Sequence, residues 1–123
     1  YGPNIRELVE TGLGIDAVTY SRALESRLQF VADAQRLSNK AQVLLTPSTP
    51  TPAPGDLSVT GSAMFQGPWT STGLPTVTVP SGLSQSGLPL GIQLIAARLE
   101  EPRLLNAASW CEQVLGKMPA PPL

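Results

Sequence analysis

The sequence predicts an α/β domain in which a few buried strands are covered by helices. Two segments show helical periodicity, from about Asp16 to Ser38 and from about Glu101 to Leu115, and short apolar runs bounded by Pro and Gly lie between them. The chain has 123 residues, of which 41% are hydrophobic. That length and composition suit one domain with one core.

The first long helix is predicted to begin after Asp16, whose side chain is a good N-cap. The apolar residues that follow recur at close to helical spacing: Ala17, Tyr20, Leu24, Leu28, Val31 and Leu37. Charged residues fill the outer positions, so we expect an amphipathic helix that ends near Ser38.

Three short segments are predicted to be strands. Val43-Leu44-Leu45 is a continuous apolar run, Thr76 to Val79 are four β-branched residues, and Gly91 to Ala96 is again apolar. Runs without alternation suit strands that are buried on both faces of a sheet.

A proline-rich segment follows the first predicted strand. Residues 46–55 include four prolines, which cannot donate sheet hydrogen bonds, so an extended, stiff loop is expected. A polyproline ligand for a partner protein is the alternative. An internal loop between two buried elements explains the segment without a partner and is the preferred interpretation.

The last helix is predicted from about Glu101 to Leu115, with Pro102 in its first turn and Gly116 as its C-cap. Cys111 lies on its apolar face and is expected to be a buried structural thiol. Residues 117–123 show no periodicity and are expected to form a flexible tail.

The composition argues against several classes of function. Eight cationic and nine anionic residues give a net charge of −1, so a basic patch for nucleic acid or a membrane surface is not expected. No apolar run approaches the ~20 residues of a membrane span. Histidine is absent and there is one cysteine, which excludes Ser-His-Asp and Cys-His catalysis and argues against a metal or another cofactor.

One apparent motif has a simpler explanation. Residues 12–17 match the G-x-G-x-x-A pattern of dinucleotide-binding proteins. That pattern requires a strand directly before it, and Arg6 to Glu10 make a poor strand. We interpret the glycines as a turn that precedes the N-cap.

Two motifs in the second half of the chain are more specific. Residues 72–83 read T-G-L-P-T-V-T-V-P-S-G-L, and residues 87–95 read G-L-P-L-G-I-Q-L-I. Together with the following helix they resemble the closing segment of amidase-signature enzymes. Residues 44–54, L-L-T-P-S-T-P-T-P-A-P, are similar to a strand and loop of that family, and the preceding helix contains its Tyr-x-x-Ala-x-x-x-Arg pattern at Tyr20, Ala23 and Arg27.

The resemblance covers about Asp16 to Leu115 and implies the C-terminal part of the amidase-signature fold, a mixed sheet flanked by helices. Residues 1–123 are then a C-terminal fragment of a single amidase-signature domain, and a chain that opens without methionine suggests a fragment or a processed product. The family uses a Ser–cis-Ser–Lys triad from its N-terminal half. This chain has only Lys40 and Lys117 and no Gly-Gly-Ser-Ser run, so none of its residues is expected to be catalytic.

An apolar cluster precedes the T-G-L-P motif, around a predicted short helix. By resemblance this segment approaches the acyl side of the substrate, which makes Met64, Phe65 and Trp69 the candidate substrate-binding residues. Filling of the core is an equally weighted alternative. Ala63 stands where the tRNA-dependent amidotransferases have an aspartate that holds the amino group of glutamine, which favours a general amidase.

The leading hypothesis is therefore an amide hydrolase of cytoplasmic origin that acts on a small amide. The alternatives are a non-catalytic structural or assembly module, or the A subunit of a tRNA-dependent amidotransferase. Because apolar strands at an open sheet edge need a cover, the expected partner is the missing N-terminal part of the enzyme or a second copy of the chain.

Overall fold

Four helices and three strands make up the computed structural model, which describes residues 2–119. In chain order they are α1 (Pro3–Leu13), α2 (Ala17–Ser38), β1 (Leu44–Pro47), α3 (Gly67–Thr72), β2 (Thr76–Leu83), β3 (Pro89–Ile95) and α4 (Glu101–Leu115). The predicted α/β class is confirmed.

The three strands form one antiparallel sheet in the order β1-β3-β2. Strands β2 and β3 are joined by the short turn at residues 84–88, and a connection of that length can only make an antiparallel pair. The resemblance implied a mixed sheet, and the strands described here contribute only antiparallel pairs to it. The register shifts between Pro80 and Gly82, next to a residue that has no N–H to donate.

The core lies on both faces of β3. On one face Leu94 joins a cluster completed by β2 and α4: Val79, Ala96, Leu104, Ala108 and Cys111. On the other face Ile95 packs with Ala34 of α2 and Leu74. Burial of this strand on both faces is confirmed at its C-terminal half, and so is the burial of Cys111.

Strand β1 departs from its prediction. It runs from Leu44 to Pro47, its burial alternates, and Leu45 is 60% exposed. The expectation that this strand is buried on both faces is therefore wrong for the chain as it stands. β1 is an edge strand, and none of the described strands pairs with its outer edge.

Helix α2 begins where the sequence predicts. The Asp16 carboxylate accepts hydrogen bonds from the backbone N–H groups of Val18 and Thr19, each at 2.9 Å. These bonds, together with one from the Thr19 hydroxyl at 2.7 Å, hold the pKa of Asp16 below its ordinary value. The helix ends at Ser38, also as predicted.

The chain before Asp16 was not predicted to be helical. Helix α1 occupies this segment. Pro3 lies in its first turn, where the backbone N–H that proline lacks would have no partner within the helix. Gly12 and Gly14 lie at its end, which confirms the turn before the N-cap but places a helix ahead of it.

Of the later boundaries, the end of β2 differs most from its prediction: the predicted strand ends at Val79, whereas β2 continues to Leu83 across the register shift. Helix α4 has the predicted limits, and Gly116 follows it with a φ of +79°. Strand β3 begins two residues before the predicted Gly91, at Pro89. In the predicted tail, residues 117–119 have no regular structure, and residues 120–123 lie outside the described part of the chain. No helix between residues 2 and 119 is long and apolar enough to cross a bilayer.

Gly91 should be the least replaceable glycine of the sheet. A Cβ atom there would lie 2.8 Å from Ser48 Oγ and 2.9 Å from Thr78 Cγ2, so the neighbouring chain would have to shift. We expect Gly91→Ala to lower the free energy of unfolding, measured by urea denaturation, by about 1–3 kcal/mol.

Gly12→Ala is the matched control, because nothing lies within 4 Å of its added Cβ and the position is helical. It should be neutral or raise stability by up to about 1 kcal/mol. Equal losses in the two variants would contradict the close-approach argument.

Candidate functional site

A cleft of about 400 Å³ lies between the sheet and the proline-rich loop. Thr78 and Gly91 of the sheet border it, Ser48 and Pro54 come from the loop, and Ser62 closes it on the side of α3. We call it the hydroxyl-lined cleft, because all the polar side chains among its described lining residues are serines and threonines. The described residues that line it include no charged side chain.

The proline-rich loop is held against the sheet by its own chain. The Ser48 N–H donates to the Gly91 carbonyl oxygen at 3.0 Å, and the Thr49 hydroxyl donates to the Thr51 carbonyl oxygen at 2.7 Å. The ring of Pro54 packs near Gly61, whose φ is +85°. These contacts agree with the interpretation as an internal loop, and they make the loop one wall of the cleft.

Two glutamine amides fasten the segment before α3 to the sheet. Gln93, at the centre of β3 and only 2% exposed, donates from Nε2 to the Phe65 carbonyl oxygen at 3.0 Å and to Thr46 Oγ1 at 3.4 Å. Gln66 donates from Nε2 to the Ser48 carbonyl oxygen at 2.5 Å. Its Oε1 is buried and accepts no hydrogen bond from the residues described. The position of residues 63–66 is thus set from the middle of the sheet.

A second attachment comes from α2. Arg27 Nε donates to the Ser71 carbonyl oxygen in α3 at 3.1 Å. This bond gives a structural role to the arginine of the Tyr-x-x-Ala-x-x-x-Arg pattern, because it ties the two helices together beside the cleft.

The three residues predicted to bind substrate lie near the cleft and do not line it. Met64 is 64% exposed, and Phe65 and Trp69 are half-buried. Trp69 packs against the cluster of Ala34, Leu74 and Ile95, so part of its surface fills the core. Their role toward an acyl group stays a prediction.

Sequence reasoning missed the residues that form the cleft itself, such as Ser48, Thr78 and Gly91. One signal was present, because a glycine inside a strand often marks a close approach of another backbone or side chain. No comparable local signal existed for the hydroxyls, which come together from segments far apart in sequence.

The cleft contains no base that would activate a serine. Lys40 and Lys117, the only lysines of the sequence, are both exposed. Within residues 2–119, no three His, Cys, Asp or Glu side chains cluster in a way that would hold a metal ion. The cleft can accommodate a small ligand, and its described lining residues include no nucleophile–base pair.

Comparison with known proteins gives a consistent result. The family model for amidases matches residues 6–105. The Mycobacterium tuberculosis (strain H37Rv) protein named AmiD, a putative amidase by its description, is 30% identical over 126 residues, which cover 94% of this chain and 26% of that protein. The A subunit of a glutamyl-tRNA(Gln) amidotransferase from Prochlorococcus marinus (strain AS9601) is 39% identical over 103 residues, 78% of this chain and 21% of the relative.

The solved structures agree with the sequence relatives. A crystal structure described as an amidase superposes with a TM-score of 0.82 at 26% identity, covering 94% of this chain and 29% of that one. The chain therefore spans about a quarter of the length of the relatives that it matches.

The amide of Gln93 should be needed to hold residues 63–66. Replacing it by leucine in Gln93→Leu leaves the Phe65 carbonyl oxygen without its donor, and we expect the free energy of unfolding in urea to fall by about 1–3 kcal/mol. Gln85→Leu, in the exposed turn between β2 and β3, is the control and should change stability by less than about 0.5 kcal/mol. A Gln93→Leu variant as stable as the control would show that this bond holds nothing in place.

Proposed function

Because the chain belongs to the amidase family, we propose that it forms one part of an amide hydrolase whose catalytic serines and lysine lie in a polypeptide outside residues 1–123. In this proposal the chain supplies sheet, covering helices and part of the wall of the acyl pocket. The observation that carries the proposal is the close superposition, at a TM-score of 0.82, on less than a third of a solved amidase.

The residue types of the chain support the proposal that the catalytic groups lie outside it. Hydrolysis through a serine needs a neighbouring group that takes the hydroxyl proton. Histidine is absent from the sequence, and its two lysines, Lys40 and Lys117, are exposed and do not line the hydroxyl-lined cleft. The serines of the cleft therefore have no lysine, histidine or carboxylate beside them, and in this proposal the catalytic base comes from the rest of the enzyme.

Exposed apolar side chains support a partner that completes the domain. Helix α1 buries none of its residues, and large apolar side chains on α1 and α2 stay exposed: Ile5, Leu8, Leu13, Leu24, Leu28 and Phe30. Large apolar side chains that stay exposed in this number along two helices favour an interface. Since the relatives are about four times as long, we propose that the remainder of an amidase domain occupies it.

Relatives named as amidotransferase A subunits favour a second candidate, transfer of ammonia from glutamine. Against it stands Ala63, whose methyl group cannot pair with the ammonium of an amino acid. A non-catalytic assembly module is a third candidate, and the experiment below distinguishes it from both enzymes.

We expect the purified chain alone to hydrolyse no aryl or alkyl amide. Mixed or fused with the upstream part of the same gene product, it should form a one-to-one complex by analytical ultracentrifugation and hydrolyse simple amides without added metal or nucleotide. Turnover by the chain alone that is lost when one of its own serines is replaced would overturn the proposal. A stable complex without activity would favour the assembly module, and a concentration-independent monomer that binds no upstream part would contradict the proposed partner.

Trp69 should affect which acyl groups the completed enzyme accepts. Trp69→Ala is expected to change the ratio of kcat/KM between a small and a bulky amide by tenfold or more, about 1–3 kcal/mol. The matched control is Trp110→Ala on α4, because Trp110 is 64% exposed and far along the chain from α3. If Trp69→Ala lowers both values equally and in step with the melting temperature, Trp69 is a core residue only.

A further inference from the structure

The charges of this chain are distributed very unevenly. Of its eight cationic and nine anionic residues, only Asp56 lies between Lys40 and Arg98. All the others are on or beside α1, α2 and α4. The whole sheet, α3 and the proline-rich loop therefore come from a segment with a single charge.

That one charge is engaged in its own turn. The Asp56 carboxylate accepts the Ser58 N–H at 2.8 Å, and hydrogen bonds from Ser58 hold the pKa of Asp56 below its ordinary value. Asp56 does not line the hydroxyl-lined cleft. A ligand in the cleft would meet hydroxyls, proline rings and backbone, with no ionic partner among the described residues.

Such a lining selects by charge. An ammonium or carboxylate that leaves water without a counter-charge has a large desolvation penalty. A neutral group has a small desolvation penalty, and the hydroxyls can form hydrogen bonds with its polar atoms. The volume of about 400 Å³ is near the low end for ligand pockets, which limits the occupant to a small group.

We propose that the hydroxyl-lined cleft receives the acyl group of a small uncharged amide and discriminates against amides that carry an ammonium or a carboxylate. The inference rests on the proposed amide hydrolase and adds the class of substrate. It makes the cleft, with Ser62 and Thr78 on its surface, a part of this chain that determines the preferred charge of the substrate.

The test uses the enzyme completed by its upstream part and three amides of similar length: butanamide, 4-aminobutanamide and succinamate. We expect kcat/KM for butanamide to exceed each charged analogue by at least about tenfold. Equal or better hydrolysis of a charged analogue overturns this inference and leaves the amide hydrolase intact. No hydrolysis of any amide overturns the proposed function, and the inference with it.

A negative charge placed in the cleft should shift the substrate preference toward the cationic amide and away from the anionic amide. Ser62→Asp keeps an oxygen for the Met64 N–H, now 3.2 Å from Ser62 Oγ, and adds a carboxylate to the wall. The ratio of kcat/KM for 4-aminobutanamide to that for succinamate should rise by about tenfold or more. This ratio is measured within one variant, so a loss of folded protein cancels.

Ser86→Asp is the matched control, since Ser86 is exposed in the turn between β2 and β3 and does not line the cleft. It should leave the ratio unchanged. Equal changes in both variants, or no change in Ser62→Asp, would show that the cleft does not hold the acyl group.

Discussion

The pairing of β3 with both other strands is the constraint on which the rest of the described structure depends. Leu94 and Ile95 are the largest side chains that are fully buried, and they point to opposite faces of the same strand. Each face carries its own cluster, one with α4 and one with α2 and α3. Residues of α4 therefore share a core with one face of β3, and residues of α2 and α3 share a core with the other face.

Residues of the same strand also determine the shape of the cleft. Gly91 lets Ser48 and Thr78 approach from the two sides, and Gln93 fixes the Phe65 carbonyl oxygen two residues further along. Of these two successive positions on one face of β3, Gly91 thus borders the cleft and Gln93 holds the chain segment that follows Ser62. A site built on a central strand is held more rigidly than one built on loops alone, even though most of its hydroxyls come from loops.

The predictions from sequence succeeded where a local signal fixes a boundary. Asp16, Pro102 and Gly116 mark helix ends because each satisfies or removes a backbone group at that point. The exposure of Leu45 had no such signal, since an apolar run does not say whether its strand is central or at an edge. The bonds from Gln93 and Gln66 span 28 and 18 residues, so nothing local in the sequence indicates them. The resemblance identified Phe65 and Trp69 as candidate residues, whereas the cleft could be found only in the three-dimensional structure.

Residues 41–97, which carry a single charge, and the exposed apolar helices α1 and α2 are explained by different physical requirements. Helices α1 and α2 carry charges between their apolar residues, as amphipathic helices do when one face is covered and the other meets water. Residues 41–55 and 57–97 carry no charge at all, although parts of them, such as Leu57 and Met64, are exposed in the chain as described. A surface that only met solvent would gain from charges there, and a surface that only filled a core would not collect hydroxyls around an open space. If the proposed partner covers this segment and the cleft receives a neutral ligand, both requirements are met, because each of the two roles excludes charge.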